Sequence, residues 1–421
     1  MSQPLEIPKR VSSLMPKKRL DSLTHQKDRS VSAASRLSEM SVSSNVSDFL
    51  DAKVAAMEAD LDWIRCFRDG LDEVKARQLI DDGEFAAEIQ PLLDSFRDTS
   101  QNLTILKRQQ RLIEDDLEEE LQVKKKRTAE QPDDGLLERA YASTMVARVM
   151  AASAKQKKAK AFDQTQFRKD VVQYYNARDP DGETSTWCHV LGMFLPSAEV
   201  KAAHLVPKSL SGDEISFLFG AGEAVLSDCR NGITLAATLE RRLDEGTIAI
   251  VPSPGAITVP TRWMCVLLDE TKAKETVWAG PYTPGGPKRT IVRLEDIDKK
   301  ELRFLGDHRP ARRYLFFRFV ISYLHAKASG NTVVSEKVNR KDFWPTIGRY
   351  LHKSTLVTLA RCVSGTELPP SLVEGKTFES EGEGDQATGK DIGMLLGADL
   401  RDALVSSMRE EGEENTDDEE D

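Results

Sequence analysis

Four polar side chains within residues 187–252 have types that suit acid–base and metal chemistry: His204, Asn231, Glu240 and Asp244. A histidine with an ordinary pKa of about 6.5 can exchange a proton near neutral pH. The two acids are four residues apart, so in a helix over 236–244 they share one face and could reach the same ion. Carboxylates are hard ligands that favour Mg²⁺ or Mn²⁺ over Zn²⁺.

Each of these residues also has an ordinary structural interpretation. His204 lies in an alternating apolar segment, where a histidine can be a hydrogen-bonded core residue. The Asn231-Gly232 pair is typical of a tight turn and could close a hairpin without any chemical role. The two acids flank a pair of arginines and could be exposed surface residues.

The sequence around these residues resembles the HNH endonuclease-type domain found in many fungal proteins. The blocks that carry the resemblance follow the order of that family's pattern: WCHVLG at 187–192, KAAHLVP at 201–207, NGITL at 231–235 and LERRLDEG at 239–246. The flanking segments 167–175 and 309–317 also resemble those proteins, so the similarity covers about residues 167–325. No block is specific alone, but together and in register they favour this family.

The resemblance implies an α+β fold with a ββα-metal unit, in which a hairpin and a helix hold one divalent ion. Phosphodiester hydrolysis needs a base that takes a proton from water and a cation that stabilises the developing charge. By similarity, His204 is the base, Asn231 orients the loop or the base, and Glu240 and Asp244 bind Mg²⁺ or Mn²⁺. The chain departs from the pattern at Ala203, where many members have a metal ligand, and at Glu240, where a histidine usually stands. These departures leave the activity of the site open.

The composition argues against several other classes of protein. A chain of 421 residues has room for two to three domains at roughly 100–200 residues each. No apolar run reaches the roughly 18 residues of a spanning helix, and the N-terminal sequence lacks the apolar core of a signal peptide. Five widely spaced cysteines without a CxxC pair indicate a reducing compartment and exclude a zinc ribbon; Cys188 is expected in the core. Nine of the last twelve residues are acidic, so the rest of the chain is close to neutral despite its net charge of −10.

Changes in composition along the chain predict five regions. They are a disordered, basic, Ser-rich tail over 1–46, a helical or coiled-coil region over 47–131, a linking helix over 132–180, an HNH-like α+β domain over 181–362 and a disordered acidic tail over 363–421. Breaks at 81–83 and at Pro91 divide the helical region, in which 103–127 could pair as a coiled coil or fold back as a helical hairpin. In the α+β domain, strands are expected at 247–252 and 263–268.

A strongly aromatic helix is expected at 312–325. Arg309, Arg312 and Arg313 near its start could contact phosphate, but the aromatic run that follows favours a structural helix.

Three functions remain open from the sequence, the third of which is a helical scaffold with the α+β domain only as an appendage. The first is an HNH-like, metal-dependent endonuclease that hydrolyses DNA. The second is a catalytically inactive HNH-like module that binds nucleic acid or protein on a helical scaffold. DNA is the expected partner, and the helical region could mediate protein contacts or self-association. The basic sequence PKKR at 16–19 resembles a nuclear import signal, which favours the nucleus over the cytoplasm.

Overall fold

The computed structural model describes most of the chain as two compact units. The main described ranges are 9–39, 46–125, 162–180, 184–208, 226–254, 261–280, 290–328, 330–339 and 348–378, with a few single residues and pairs outside them. Unit 1 comprises Met1–Lys160 with Phe219–Ala224, and unit 2 comprises the remaining residues. The expected mixture of helices and strands is confirmed. No helix in the described part of the chain is long and apolar enough to cross a membrane.

Unit 1 is built from helices that run back and forth beside one another. They are α1 Lys9–Leu14, α2 Lys17–Glu39, α3 Val46–Ala76 and α4 Asp82–Lys125. The start of α2 meets the end of α3, where Arg19 and Glu73 are 3.1 Å apart. Gln110, in the second half of α4, donates a hydrogen bond to Asp51 near the start of α3 at 2.7 Å. Neighbouring helices are therefore antiparallel, as in the fold-back alternative of the sequence analysis.

The N-terminal residues belong to this bundle, which corrects the expectation of a disordered tail over residues 1–46. Val11, Met15 and Leu23 are buried in the same core as Trp63 and Phe67 of α3. This stretch has few apolar residues, but their helical spacing puts them on one face, which packs against α3. The burial of that face stabilises the helices despite the polar composition of the segment. The correction applies to residues 9–39, because residues 1–8 and 40–45 lie outside the described part.

Helix α4 continues through Pro91, which corrects the predicted break there. A proline inside a helix removes one backbone hydrogen bond and kinks the helix, at a cost of about 3 kcal/mol. The neighbours Ile89, Leu92 and Phe96 pack against the bundle core and offset this loss. The predicted break near residues 81–83 is present between α3 and α4. A coiled coil over 103–127 stays a prediction, since the described side chains of α4 end at residue 111.

Unit 2 combines short strands and helices, and the two predicted strands and the aromatic helix are confirmed. Its helices are α5 Gln164–Tyr174, α6 Ala237–Asp244, α7 Leu294–Ile297, α8 Arg312–Ala328, α9 Thr332–Asn339, α10 Lys353–Ser364 and α11 Pro370–Val373. Its strands are β1 Ser185–Cys188, β2 Met193–Pro196, β3 Val200–His204, β4 Gly232–Ala236, β5 Ile248–Pro252, β6 Trp263–Leu267, β7 Thr276–Ala279, β8 Ile291–Arg293, β9 Leu351–His352 and β10 Thr377–Phe378. Of the predicted linking helix, only α5 lies in the described part.

The strands form separate two-stranded pairs around a buried helix. The pairs β1–β2, β3–β4, β5–β6 and β7–β8 are antiparallel, and β9–β10 is parallel. Every residue of α8 from Arg313 to His325 is buried, so this helix forms the centre of unit 2. Residues beyond 362 also belong to the unit, because Leu368 and Leu372 are buried. This corrects the expected start of the disordered acidic tail at 363 for residues 363–378.

Candidate functional site

The hairpin of β3 and β4 and helix α6 bring the predicted site residues into one region of unit 2. His204, the last residue of β3, lies opposite Gly232, the first residue of β4. A 3₁₀ turn, Cys229–Asn231, leads directly into β4, and α6 begins at the residue after β4 ends. The chain order is therefore strand, strand, helix, with Asn231 beside His204. The Asn231-Gly232 pair does not form the tight turn that its sequence suggested, because Gly232 is extended at φ −122°.

Asn231 holds the backbone that follows His204. It is fully buried, and its side-chain Oδ1 accepts a hydrogen bond from the backbone N–H of Val206 at 2.8 Å. Its backbone carbonyl accepts another from the N–H of Leu205 at 2.9 Å. Both bonds go to the loop after β3, and a role of Asn231 in the chemistry stays a prediction.

His204 is enclosed by aromatic rings from the segment that leads into and forms α5. Its imidazole stacks on Phe167 with ring centroids 3.9 Å apart, and Phe162 lies edge-on at 5.2 Å. Its Nε2 is buried and has no hydrogen-bond partner among the described residues. Burial, with a smaller contribution from the positive charges of Lys208 and Arg318, lowers the pKa of His204 to about 4. The imidazole is therefore neutral at pH 7 and able to accept a proton.

Helix α5 is fixed against the hairpin, and this positions Phe167. Arg168 donates to the carbonyl oxygen of Ser197 at 2.6 Å and to that of Val200. At the C-terminal end, the hydroxyl of Tyr175 donates to the carbonyl oxygen of Gly232 at 2.9 Å. A Cβ atom on Gly232 would lie 2.8 Å from the ring of Phe167, so only glycine allows this close approach. The contact of Phe167 with His204 thus depends on Gly232, the residue opposite His204 in the hairpin.

Ala203 offers no ligand at the position where many HNH proteins have one. It is fully buried and pairs with Ile233 in the hairpin. A larger polar side chain has no exposed space at this position. The alanine that replaces a ligand of the family pattern is therefore a core residue of the hairpin.

The two acids of α6 have different surroundings. Glu240 is half-buried; burial and the nearby charge of Asp244 raise its pKa, while Lys201, Lys208 and Arg318 oppose this shift. Asp244 forms a direct ion pair with the guanidinium of Arg318 from α8. The Asp244 side chain is 59% exposed, whereas that of Arg318 is only 4% exposed. The carboxylate of Asp244 is thus already engaged by a buried cation.

The residues around Glu240 do not by themselves fit a divalent cation. In the described part of the chain, no group of three or more His, Cys, Asp and Glu side chains is placed to hold a metal ion. Among the described residues, the positive charges of Lys201, Lys208 and Arg318 act on Glu240 and oppose the rise of its pKa. Hard cations such as Mg²⁺ and Mn²⁺ are held by several oxygen ligands, and nearby positive charges oppose them. The assignment of Glu240 and Asp244 as metal ligands stays a prediction.

Arg318 and Phe167 were missed as site residues by the sequence analysis. Arg318 interrupts the apolar run Phe316-Phe317-Arg318-Phe319, and a charge inside a buried helix needs a partner. The sequence therefore indicated that Arg318 needs a partner. It did not identify that partner as Asp244, which lies 74 residues earlier.

The neighbouring Cys188 and His189 are core residues. Cys188 is fully buried, as predicted. His189 is also fully buried, and its Nδ1 lies 2.8 Å from the hydroxyl of Thr234. Burial lowers the pKa of His189 to about 4, with Arg309 acting in the same direction and the backbone hydrogen bond to Thr234 opposing it. Both residues connect β1 and the turn after it to β4.

Comparison with known proteins identifies the same region. A family model described as HNH endonuclease matches residues 188–251, so this segment is similar to HNH-type domains. The matched range contains β3, β4, α6 and all four predicted site residues. No curated protein and no solved structure matches the chain.

Proposed function

We propose that unit 2 is an HNH-type domain that acts on the phosphodiester backbone of nucleic acid, with DNA as its expected substrate. One observation carries the proposal: the segment similar to HNH endonucleases has His204 beside Asn231 at the end of the hairpin where the loop joins β3 to β4, with basic side chains near both His204 and Glu240. A general base next to an anion-attracting surface is what phosphodiester hydrolysis requires of a protein.

In the proposed reaction, neutral His204 takes a proton from the attacking water, whose oxygen bonds to phosphorus as the bond from phosphorus to one sugar oxygen breaks. That leaving oxygen takes up a proton from solvent. Asn231 keeps the loop after His204 in place through its bond to Val206. A pKa of about 4 makes His204 a weak base, and two cations, Lys208 and Arg318, contribute to that low value. A bound phosphate would offset these positive charges and raise the pKa of His204 toward the operating pH, where a general base works best.

The first prediction concerns His204 as the base. The full chain is incubated with supercoiled plasmid DNA, with and without Mn²⁺, and nicking is measured. His204→Ala should reduce the rate by at least about 100-fold, since a positioned base typically contributes about 10²- to 10⁴-fold. His25→Ala on α2 of unit 1 is the matched control and should nick at the wild-type rate. Equal nicking by His204→Ala and wild type would contradict the role of His204.

A second candidate function is nucleic-acid binding without cleavage. Two features favour it: the missing ligand at Ala203, and the engagement of Asp244 by Arg318. The nicking assay separates the two functions. If wild-type protein with Mn²⁺ fails to nick DNA between about pH 6 and about pH 9, a range that spans the titration of a free histidine, the binding function replaces the hydrolytic one.

The expected roles of the other regions are part of this proposal. Nuclear localisation through residues 16–19 is proposed, although Arg19 of this sequence pairs with Glu73 in the bundle. Protein contacts or self-association through unit 1 are proposed as well.

A further inference from the structure

Four aromatic side chains of unit 2 remain half-buried although they lie beside a buried core. Tyr174 of α5, Trp187 of β1 and Phe304, between α7 and α8, pack against the core that α5 forms with β3. Phe194 of β2 contacts Trp187, with ring centroids 5.0 Å apart. We call these four residues the aromatic face.

The β1–β2 hairpin presents part of this face on its outer side. Trp187 and Phe194 are directly opposite each other in the register of the two strands. Successive residues of a strand point to opposite sides of a sheet, and the neighbours Cys188 and Leu195 are buried. The two rings therefore lie on the side opposite those buried side chains. A partly exposed patch of aromatic side chains is typical of a binding surface.

The indole of Trp187 is fixed by the segment that carries Phe304. Its Nε1–H donates to the carbonyl oxygen of Arg303 at 2.8 Å. The backbone N–H of Arg303 in turn donates to the carbonyl oxygen of His189 at 2.9 Å. Because the indole has a single donor and that donor is used, Trp187 offers a ligand its ring and no hydrogen bond. Such a ring recognises the flat surface of a ligand and not its polar edge.

Arginine side chains accompany the rings. The guanidinium of Arg309 lies over Phe304, 4.2 Å from the ring centroid. Arg303 and Arg178 are both exposed, and the backbone of Arg178 pairs with Thr186 of β1. Aromatic rings with cations beside them are the combination that binds single-stranded nucleic acid, since bases stack on the rings and cations contact the phosphates.

We propose that the aromatic face stacks unpaired bases of a nucleic-acid strand, while Arg178 and Arg303 contact its phosphates. The bases of an intact duplex are stacked on one another, so rings of this kind select single-stranded or locally unpaired DNA. Phe167, which stacks on His204, belongs to the core against which three of the four rings pack. The inference rests on the proposed function for nucleic acid as the ligand, and it adds the substrate class.

The test compares a labelled oligothymidylate of about 16 nucleotides, the upper site size of one single-strand binding domain, with the same strand annealed to its complement. Binding of each to the full chain is measured by fluorescence anisotropy in EDTA. Wild type should bind the single strand more tightly than the duplex. Trp187→Ala should weaken single-strand binding about 5- to 100-fold, the effect of losing one stacked base, and should change duplex binding less than about twofold. Trp278→Ala is the matched control: it removes a half-buried tryptophan of β7 outside the aromatic face and should bind like wild type.

A conservative variant decides the question if Trp187→Ala fails to fold. Trp187→Phe keeps a ring on which a base can stack and should retain most of the affinity. A base that stacks on an indole quenches its fluorescence, so the single strand should quench the tryptophan emission of wild type and of Trp278→Phe. This quenching should be largely lost in Trp187→Phe.

The outcomes separate this inference from the proposed function. Equal affinities for the single strand and the duplex, or wild-type binding by Trp187→Ala, overturn the inference, as does quenching that persists in Trp187→Phe. Nicking of plasmid DNA that still depends on His204 leaves the proposed function standing in each of these cases. A wild-type dimer that Trp187→Ala dissociates in sedimentation also overturns the inference, because the aromatic face would then join two copies of the chain. Absence of any DNA binding by wild type would contradict both proposals.

Discussion

At the residue scale, the site is defined by how its surroundings shift proton affinity. His204 has its pKa lowered by burial and by two cations, whereas Glu240 has its pKa raised by burial and by Asp244. The histidine is therefore kept in its basic form, and the glutamic acid is shifted toward its protonated form. Groups with opposite shifts at one site are typical of acid–base chemistry, although ion-pair networks also produce such shifts.

Titration of the buried His189 gives a prediction for stability. Its pKa is about 4 in the folded protein and about 6.5 when unfolded, so the unfolded state binds more protons between these values. The stabilisation from neutral His189 is complete above about pH 6.5 and is lost as the pH falls through about 4. A shift of this size corresponds to about 3 kcal/mol.

Denaturant unfolding of wild type and His189→Asn between pH 7 and pH 4 measures this effect. The asparagine amide can still bond Thr234 but does not titrate. The free energy of unfolding of the variant should fall less steeply by up to about 3 kcal/mol over this range. Parallel pH profiles for the two proteins would contradict the assignment.

The sequence predicted the elements that carry the candidate residues better than the contacts that these residues make. His204 and Asn231 were identified from their blocks, and the structure places them side by side. The contact of Asp244 with Arg318 joins residues 74 positions apart, and no local spacing encodes such a pair. The helical spacing of Glu240 and Asp244 was correct, but it did not reveal that one of the acids is engaged by a cation from another helix.

At the element scale, the close approach of α5 to the hairpin determines the geometry around His204. A Cβ atom at residue 232 would lie 2.5 Å from Cγ2 of Val171 and 2.8 Å from Cζ of Phe167. Both side chains are buried and belong to the same core cluster, so neither can move away freely. The stacking of Phe167 on His204 therefore depends on a glycine in β4.

Replacement of that glycine should loosen the whole contact. Gly232→Ala forces α5 away from β4 and should lower the stability by about 1–3 kcal/mol, the usual range for overpacking. Gly306→Ala is the matched control, because its Cβ atom meets its nearest neighbour, Asn176, at an ordinary 3.5 Å. Thermal unfolding of both variants checks the prediction. Equal stability of Gly232→Ala and Gly306→Ala would show that α5 does not pack as closely as the structure indicates.

Periodicity predicted the elements of unit 2 well and those of unit 1 less well. The strands β5 and β6 and the helices α6 and α8 follow from short apolar runs and aromatic spacing. Residues 9–39 were expected to be disordered because their composition is polar, yet Leu23 and a few other apolar side chains suffice when a long apolar helix lies beside them. Composition describes residues 9–39 alone, whereas the stability of their helices depends on the apolar surface of α3 against which they pack.

At the scale of the whole molecule, the two units have separate expected tasks. The segment similar to HNH endonucleases lies in unit 2 except for residues 219–224, and the described part of unit 1 is helical. The proposed chemistry therefore belongs to unit 2, and unit 1 is proposed as a scaffold or partner surface. This division makes the position of bound nucleic acid the central claim.

Photo-crosslinking of a DNA duplex to the full chain, followed by mass spectrometry of the adducts, tests that claim most directly. In EDTA, cross-linked peptides should contain residues 200–208 or 237–244, which carry His204, the exposed Lys201 and Lys208, and the acids of α6. Salt should reduce the yield, since phosphate contacts weaken as salt rises. Adducts confined to the helices of unit 1, within residues 17–125, would contradict the account and assign nucleic-acid binding to the bundle instead.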